Sequence, residues 1–553
     1  MRLIKLLFVI CISFVAFAFA SVSSAKTIYV PDDYENIQWA VDNASAGDTI
    51  IVRDGVYYEN VFVDKQLKIK SENGSANCVV NAADLYDDVF YITADYVEIS
   101  GFTIKGAEDA GINLFEGDYC IISNNSIKNN YWGINLHYSN NNTISGNIIE
   151  NNYIGIYIRD YSNKNKILEN RIENNWVGIY IRDSNNCIIS GNIFINDGLL
   201  VIDSYKNKVY NNTVNGKPLV YLEYESDLNV NDAGQVILVN CNNITVKNLN
   251  LSNTNDGVQL WQSDNCIISE NSIENNVNGI YIWCSNNNTI SGNSIIENNV
   301  NGIYIWGSNN NTISENNIEN NECGIQIGSS NKNIIYLNNF KNNTNHVYSY
   351  ASTNIWNSTE MITYKYKGKQ YTNYTGNYWS DYTGSDTNGD GIGDTPYSIY
   401  GDKDYHPLMK PFENYFAPEQ KPSVSISTDK YEYKAEDVML INITLMNPKD
   451  EWQSVKFLFC LDIFDYNLHI TIIKNRSLRL PPHCNKTFKI RWNIPEFKFS
   501  FNASWYVAIF NERTSELISE DYAYWRYIAA KEEARTKYKK ELNKSVREIK
   551  IPF

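Results

Sequence analysis

A short unit returns every 22 or 23 residues along most of this chain, and it limits the fold more than any other feature. Gly-Ile or Gly-Val recurs at Gly111, Gly133, Gly155 and Gly178, and again at Gly257, Gly279, Gly302 and Gly324. An Asn ahead of an apolar position keeps the same step, at Asn125, Asn147, Asn170 and Asn192, then Asn271, Asn293, Asn316 and Asn338. Two independent markers with one period define a solenoid unit. Each unit holds three short stretches of alternating apolar residues, and a period of two means strands. No room remains for a crossover helix. The unit is therefore one coil of a parallel β-helix, with each strand paired to its copy in the next coil about 4.8 Å away. Right-handed winding follows from the handedness of parallel crossovers.

The period also explains the composition. Residues 121–200 hold 20 Asn in 80 positions. Asn tolerates the left-handed backbone of tight corners, and stacked copies can hydrogen-bond along the axis. Most of the Asn is thus read as structural. The pattern breaks over 213–238, read as a hinge or irregular coil between two halves. Before the repeats, Asp32 to Asn43 reads as a short helix capping the open end of the solenoid.

The chain has 553 residues, with 47 Lys+Arg against 63 Asp+Glu, a net charge of −16. That balance disfavours a nucleic-acid partner, because phosphate binding needs a basic face. The five His are scattered, which disfavours a histidine metal cluster. Residues 1–25 read as a signal peptide, with Arg2 and Lys5 ahead of an apolar run ending in Ala18-Phe19-Ala20; an uncleaved anchor helix is the alternative. No later apolar run is long enough to span a membrane. Secretion or display at the cell surface is expected, and acceptor sequons such as Asn43, Asn73, Asn357, Asn373 and Asn502 fit that context. Cys120, Cys187 and Cys266 each precede Ile-Ile-Ser and are equivalent ladder positions rather than partners. Only Cys460 and Cys484 are candidates to pair, and the sequence leaves that open.

Alternation in Gly-Ile-x-Ile turns the Ile residues inward and the residues between them outward. The outward pairs are Asn135/His137, Tyr157/Arg159 and Tyr180/Arg182 in the first half, and Gln259/Trp261, Tyr281/Trp283 and Tyr304/Trp306 in the second. Read as one face, they form an aromatic stripe suited to stacking on pyranose rings, with Arg159, Arg182, Asp160 and Asp183 placed for hydroxyls or acidic sugars. The alternative is a ladder of rings that only stabilise one another. Asp160 and Asp183, one coil apart, also meet loosely the carboxylate spacing of a retaining glycosidase.

Asp386-Thr-Asn388-Gly-Asp390-Gly-Ile392-Gly-Asp394 matches the first part of a Ca²⁺ loop. Asp386, Asn388, Asp390 and Asp394 would supply side-chain oxygens and Ile392 its carbonyl. No Glu stands at the twelfth position, and Asp381, Asp402 or Asp404 is expected to complete the shell. The ion would have a structural role, closing the end of the solenoid at 376–412.

These residues resemble the NosD-like parallel β-helix family of carbohydrate-binding and sugar-hydrolase repeats, which has a pectate-lyase-like fold. The opening segment from Ile28 to Val41 carries that likeness, while Asn215-Gly-Lys-Pro-Leu-Val-Tyr and Gly376-Asn-Tyr-Trp-Ser-Asp-Tyr382 are similar to its archaeal surface-protein branch. The resemblance covers roughly residues 26–412. It implies copper handling as a third function, but no copper cluster is evident in the sequence.

Residues 26–416 are thus assigned to the β-helix and 417–422 to a linker. Residues 423–528 alternate in strands suited to an immunoglobulin-like sandwich, and 529–553 read as a basic helical tail able to contact an anionic envelope. The expected protein is all-β and exported. It binds polysaccharide or surface glycan, or serves a structural or adhesive role in the envelope; a polysaccharide lyase or glycoside hydrolase is the alternative.

Overall fold

A computed structural model of the chain describes residues 25–297, 299–416, 421–449, 451–466 and 468–530. The expected signal segment up to residue 24, most of the linker and the tail from residue 531 lie outside the described residues. Two compact units divide the chain, residues 1–415 and 416–553.

The first unit is the parallel solenoid, and its longest sheet contains 15 strands. Its opening helix, α1 (Ile37–Asn43), is shorter than the expected 32–43, because Asn36 is the N-cap and its side chain accepts from the Trp39 amide. Ile37, Ala40 and Val41 are buried beneath it. The coils are in strict register: Ile134 pairs with Ile156 and Ile156 with Ile179, and each is fully buried.

The Asn residues form the ladders that the repeat implied. At one corner Asn125, Asn147, Asn170, Asn192 and Asn212 stack. Asn147 Oδ1 accepts from the backbone N–H (3.0 Å) and Nδ2 (3.2 Å) of Asn125, and Asn147 Nδ2 donates to Asn170 Oδ1 (3.0 Å) and to the Ile122 carbonyl (2.9 Å). Every group of a buried amide is thereby used. Cys120, Cys187 and Cys266 stand on a second Asn ladder, each giving its backbone N–H to the Asn of the next coil. All described cysteines are free, Cys460 and Cys484 included.

The segment 213–238 differs from the expected irregular hinge. Thr213–Val214 pairs antiparallel with Lys217–Pro218. Asn215 and Gly216 make the two-residue turn, with φ of 51° and 81°, as a hairpin matched to strand twist requires. The next strands, Lys217–Glu223 and Gln235–Val239, continue the same sheet in the opposite direction. Reversing direction puts the second solenoid's interior on the other face of the shared sheet. Val236 and Leu238 belong to the second core, whereas Leu219, Ile237, Val239 and Trp261 close the end of the first.

The second unit packs a three-stranded and a five-stranded sheet around one core that includes Trp492, Trp505 and Trp525. It is a β-sandwich.

Candidate functional site

Strand reversal splits the expected aromatic stripe in two. Tyr157, Arg159, Tyr180 and Arg182 lie on a seven-stranded sheet that ends at Leu199–Ile202. Trp261, Tyr281, Trp283, Tyr304 and Trp306 lie on the 15-stranded sheet. They are not one face.

The start of the second stripe is also covered. Trp261 is 0% exposed, with its ring 4.5 Å from that of Tyr205, and Tyr281 is 7% exposed. Neither offers the open ring expected of it, because this part of the sheet seals the first solenoid. Gln235 and Gln259 reach across to the last strand of the seven-stranded sheet. Gln235 Oε1 accepts from Leu199 N–H (3.0 Å) and its Nε2 donates to the Leu199 carbonyl (2.8 Å); Gln259 makes the same pair with Val201. Two amides one coil apart thus replace the missing next strand and satisfy a sheet edge.

Elsewhere the rings stack on one another. Tyr157 and Tyr180 are 4.9 Å apart at 12°, Tyr281 and Tyr304 5.1 Å apart at 13°. The separation between strands is close to the stacking distance of aromatic rings, so one ring per coil produces a ladder. The facing surfaces of such rings are already occupied. Arg159 is also engaged: its Nε donates to Asn135 Oδ1 (3.1 Å), it lies over Trp132 and Tyr157, and it is 3.5 Å from Asp160. Asp160 also meets His137 at 3.1 Å, and Asp183 meets Arg182 at 3.5 Å. Both aspartates sit at left-handed corners, with φ of 52° and 49°, the position the solenoid turn demands.

One column is interrupted. In register, Trp283 is followed by Trp306, then Gly328, then Tyr350. Beside it, Tyr304 is followed by Gln326 and Tyr348. At Gly328 the ladder lacks a ring, leaving a cleft of about 250 Å³ lined by Trp306, Gln326, Gly328, Tyr348 and Tyr350. A Cβ on Gly328 would meet ring carbons of Trp306 at 2.5 Å. The Trp306 ring therefore leans over Gly328 into the place of the missing rung, and the cleft is bounded by that ring, Tyr348 and Tyr350. Sequence reasoning missed Gln326 and Gly328 because neither carries a ring, and Tyr348 and Tyr350 because His346 replaces the marker glycine in the coil after Gly324. Carrying the register one coil past Gly324 would have found the two tyrosines.

A second cleft, of about 440 Å³, lies beside His346, Ser380, Asp381 and Tyr397. Burial holds the His346 imidazole below its ordinary pKa. Asn343 Nδ2 faces its Nδ1 (3.3 Å), while both Ser380 Oγ (3.3 Å) and Asp381 Oδ1 (3.4 Å) meet Nε2. A Ser–His–Asp relay needs the hydroxyl and the carboxylate on different ring nitrogens. This cluster is not one.

At the calcium-type loop, Asp386 accepts from the amides of Gly389, Asp390 and Gly391, and Asn388 Nδ2 donates to Asp390 Oδ2 (3.0 Å). Asp386, Asn388 and Asp390 come together, and Ile392 gives its N–H to Asp390 Oδ1. Asp394 instead accepts from Thr387 and Ser385, bonds that hold its carboxyl below the usual pKa. The three aspartates expected to complete the shell are used elsewhere. Asp402 takes the N–H of Asn354, Asp404 takes those of Asn377 and Trp379 Nε1, and Asp381 faces His346 and Tyr397. Among the described residues, no three His, Cys, Asp or Glu side chains are placed to hold a metal ion. Asp386, Asn388 and Asp390 thus form an acidic turn held together by its own hydrogen bonds.

Residues 220–384 match the family model described as periplasmic copper-binding protein (NosD), and residues 88–232 match that of the right handed beta helix region. Both matches lie within the right-handed β-helix. The chain also has a curated relative, a "Cell surface glycoprotein" of Methanothermus fervidus, 35% identical over 133 residues. That match covers 24% of this chain and 22% of the relative, so the chain spans about a fifth of the relative's length. Among solved structures, the mannuronan C-5 epimerase AlgE6 A-module of Azotobacter vinelandii is similar over 57% of this chain and 94% of its own, at 14% identity and a TM-score of 0.31. DFA-IIIase of Arthrobacter chlorophenolicus is similar over 52% and 94%, at 13% identity and a TM-score of 0.35. No described helix is long and apolar enough to cross a membrane.

Proposed function

We propose that this chain is an exported cell-surface protein that binds glycan without cleaving it, one pyranose ring seated in the cleft bounded by Trp306, Tyr348 and Tyr350. The interrupted ladder carries this reading. A sugar ring has apolar faces and a polar rim, and here two aromatic rings flank a gap beside the Gln326 amide. No charged side chain lines the gap, so a neutral sugar fits better than an acidic one. The cell-surface name of the archaeal relative and the signal-like N-terminus support the location. The calcium loop serves the same protein as a structural clasp at the solenoid's end.

A glycan array probed with the intact protein tests the site. Trp306→Ala and Tyr350→Ala should each weaken the best ligand about tenfold, the loss of roughly 1.4 kcal/mol of stacking and burial. Asp160→Asn and Asp183→Asn should leave binding unchanged. Measurable bond cleavage of any bound polysaccharide would sink the non-catalytic part, and unchanged affinity in both ring variants would sink the site.

A further inference from the structure

A second aromatic column runs along a corner of the first solenoid. Tyr131, Tyr153 and Trp176 occupy one repeat position in successive coils, with rings 4.9 and 6.3 Å apart at 15° and 10°. All three are 46% exposed. Tyr153 has a ring on each side. Trp176 does not: in the next coil Asp197 takes the place of Asn175 and is followed directly by Gly198, the counterpart of Gly178, so no residue stands at the ring's position. The outer face of Trp176 is thus the free end of the stack.

That end meets the step where the second solenoid begins. A cleft of about 240 Å³ lies there, with Trp176 and Asn196 on one side and Val277 and Val300 on the other. Val277 and Val300 hold the same repeat position in the second solenoid that the three rings hold in the first. The remaining lining is amides and Thr254, with no charged group. Thr254 is 4% exposed, and its Oγ1 has no hydrogen-bond partner. That oxygen packs over Gly198, closed to solvent.

We propose that this step is a second glycan-binding slot, independent of the Trp306 gap, in which one neutral sugar ring stacks on Trp176 and covers Val277 and Val300. Amides on the rim take the ring's hydroxyls, and the lack of charge excludes a phosphate or carboxylate as the main recognition element. The occupant is a residue of a neutral glycan chain. With the Trp306 gap on the other solenoid, the protein would hold two chain segments at once.

The test uses the full chain and three neutral hexasaccharides, of β-1,4-glucose, β-1,4-mannose and β-1,4-N-acetylglucosamine, read by saturation-transfer NMR and calorimetry. In a Trp306→Ala background at least one should still bind. Adding Trp176→Ala should weaken it at least tenfold, and adding Val300→Arg, which fills the slot from the opposite wall, should do the same. Trp176 and Val300 are partly exposed, so both variants should keep the parent's melting temperature. Failure of all three sugars to bind in the Trp306→Ala background, or binding untouched by both slot variants, overturns the proposal. If Trp306→Ala is neutral in the wild-type chain while Trp176→Ala abolishes binding, the slot stands and the Trp306 gap falls.

Discussion

The two solenoids are built from one repeat but end differently. The first is closed by the second: Leu219, Ile237, Val239 and Trp261 cover its core, and Gln235 and Gln259 finish its open sheet edge. The second is closed by an irregular cap. There the Asn corner ladder passes from Asn338 to Asn377 and stops on Asp404, while the neighbouring ladder stops on Asp402. The lesson is that the coils supply rigidity and the ends supply chemistry. Both proposed sugar slots lie where a periodic column stops, one at Gly328 and one at Trp176.

The strongest way to break that comparison is to remove a rung from each solenoid. Asn147→Ala strips a buried amide of four hydrogen bonds and Asn293→Ala one of five. At about 1–3 kcal/mol for each buried group left unpaired, each should cost about 4 kcal/mol in chemical denaturation. A loss below about 1 kcal/mol in either would show that the ladder contributes little there.

Acidity separates the two solenoids more finely. Each begins an amide chain on an aspartate: Asp88 accepts from Asn113, Asp256 from Asn278. Both oxygens of Asp88 are hydrogen-bonded, whereas Asp256 Oδ2 has no partner. Burial raises Asp88 to about 6 and Asp256 to about 7. A raised folded-state pKa means that the native state holds a proton the unfolded chain has lost. Stability is therefore fully present below about pH 4 and declines as pH rises towards 7 for Asp256, with a limiting slope of about 1.4 kcal/mol per pH unit. Asp256→Asn should flatten that slope and stabilise the protein at pH 8. A stability profile from pH 4 to 8 that is identical in the variant would remove Asp256 as its source.

The joint between the solenoids should respond next. Gln259→Ala leaves the Val201 N–H and carbonyl without partners, a loss of about 2 kcal/mol. The first solenoid should then melt ahead of the second, splitting one thermal transition into two. A single transition with unchanged midpoint would mean that the amide is not needed to seal the edge.

How much of this was legible follows from what a period can encode. Gly111 to Gly178 and Asn125 to Asn192 announced coils, corners and ladders, because each depends only on spacing along the chain. The direction of a strand leaves no mark on spacing. Asn215-Gly216 was visible as a break, but nothing local says that its hairpin turns the next sheet inside out. Trp261 therefore looked like an outward ring when it is core, and the two stripes looked like one. Gly328 escaped for the opposite reason: its meaning lies in a missing side chain beside Trp306, which only register reveals. The aspartates after the loop illustrate competition. Asp402 and Asp404 carry the right chemistry for a cation, but the ladder ends demand acceptors first.

The calcium loop tests that competition with the smallest effect. With Asp394, Asp402 and Asp404 engaged in hydrogen bonds, the proposed ion would have only Asp386 and Asp390 for charge. Few charged ligands mean weak binding, in the millimolar range of extracellular modules. At about 10 mM Ca²⁺ and a Kd near 1 mM the stabilisation is about 1.4 kcal/mol, seen as a melting temperature raised by a degree or two and unchanged by the same ionic strength of NaCl. Asp386→Ala with Asp390→Ala should abolish the rise, whereas Asp402→Asn should lower stability without altering it, because Asp402 serves the ladder. Micromolar affinity would mean that the ion recruits Asp394 away from Thr387, and the cap would then be a switch that calcium sets rather than a clasp it merely tightens.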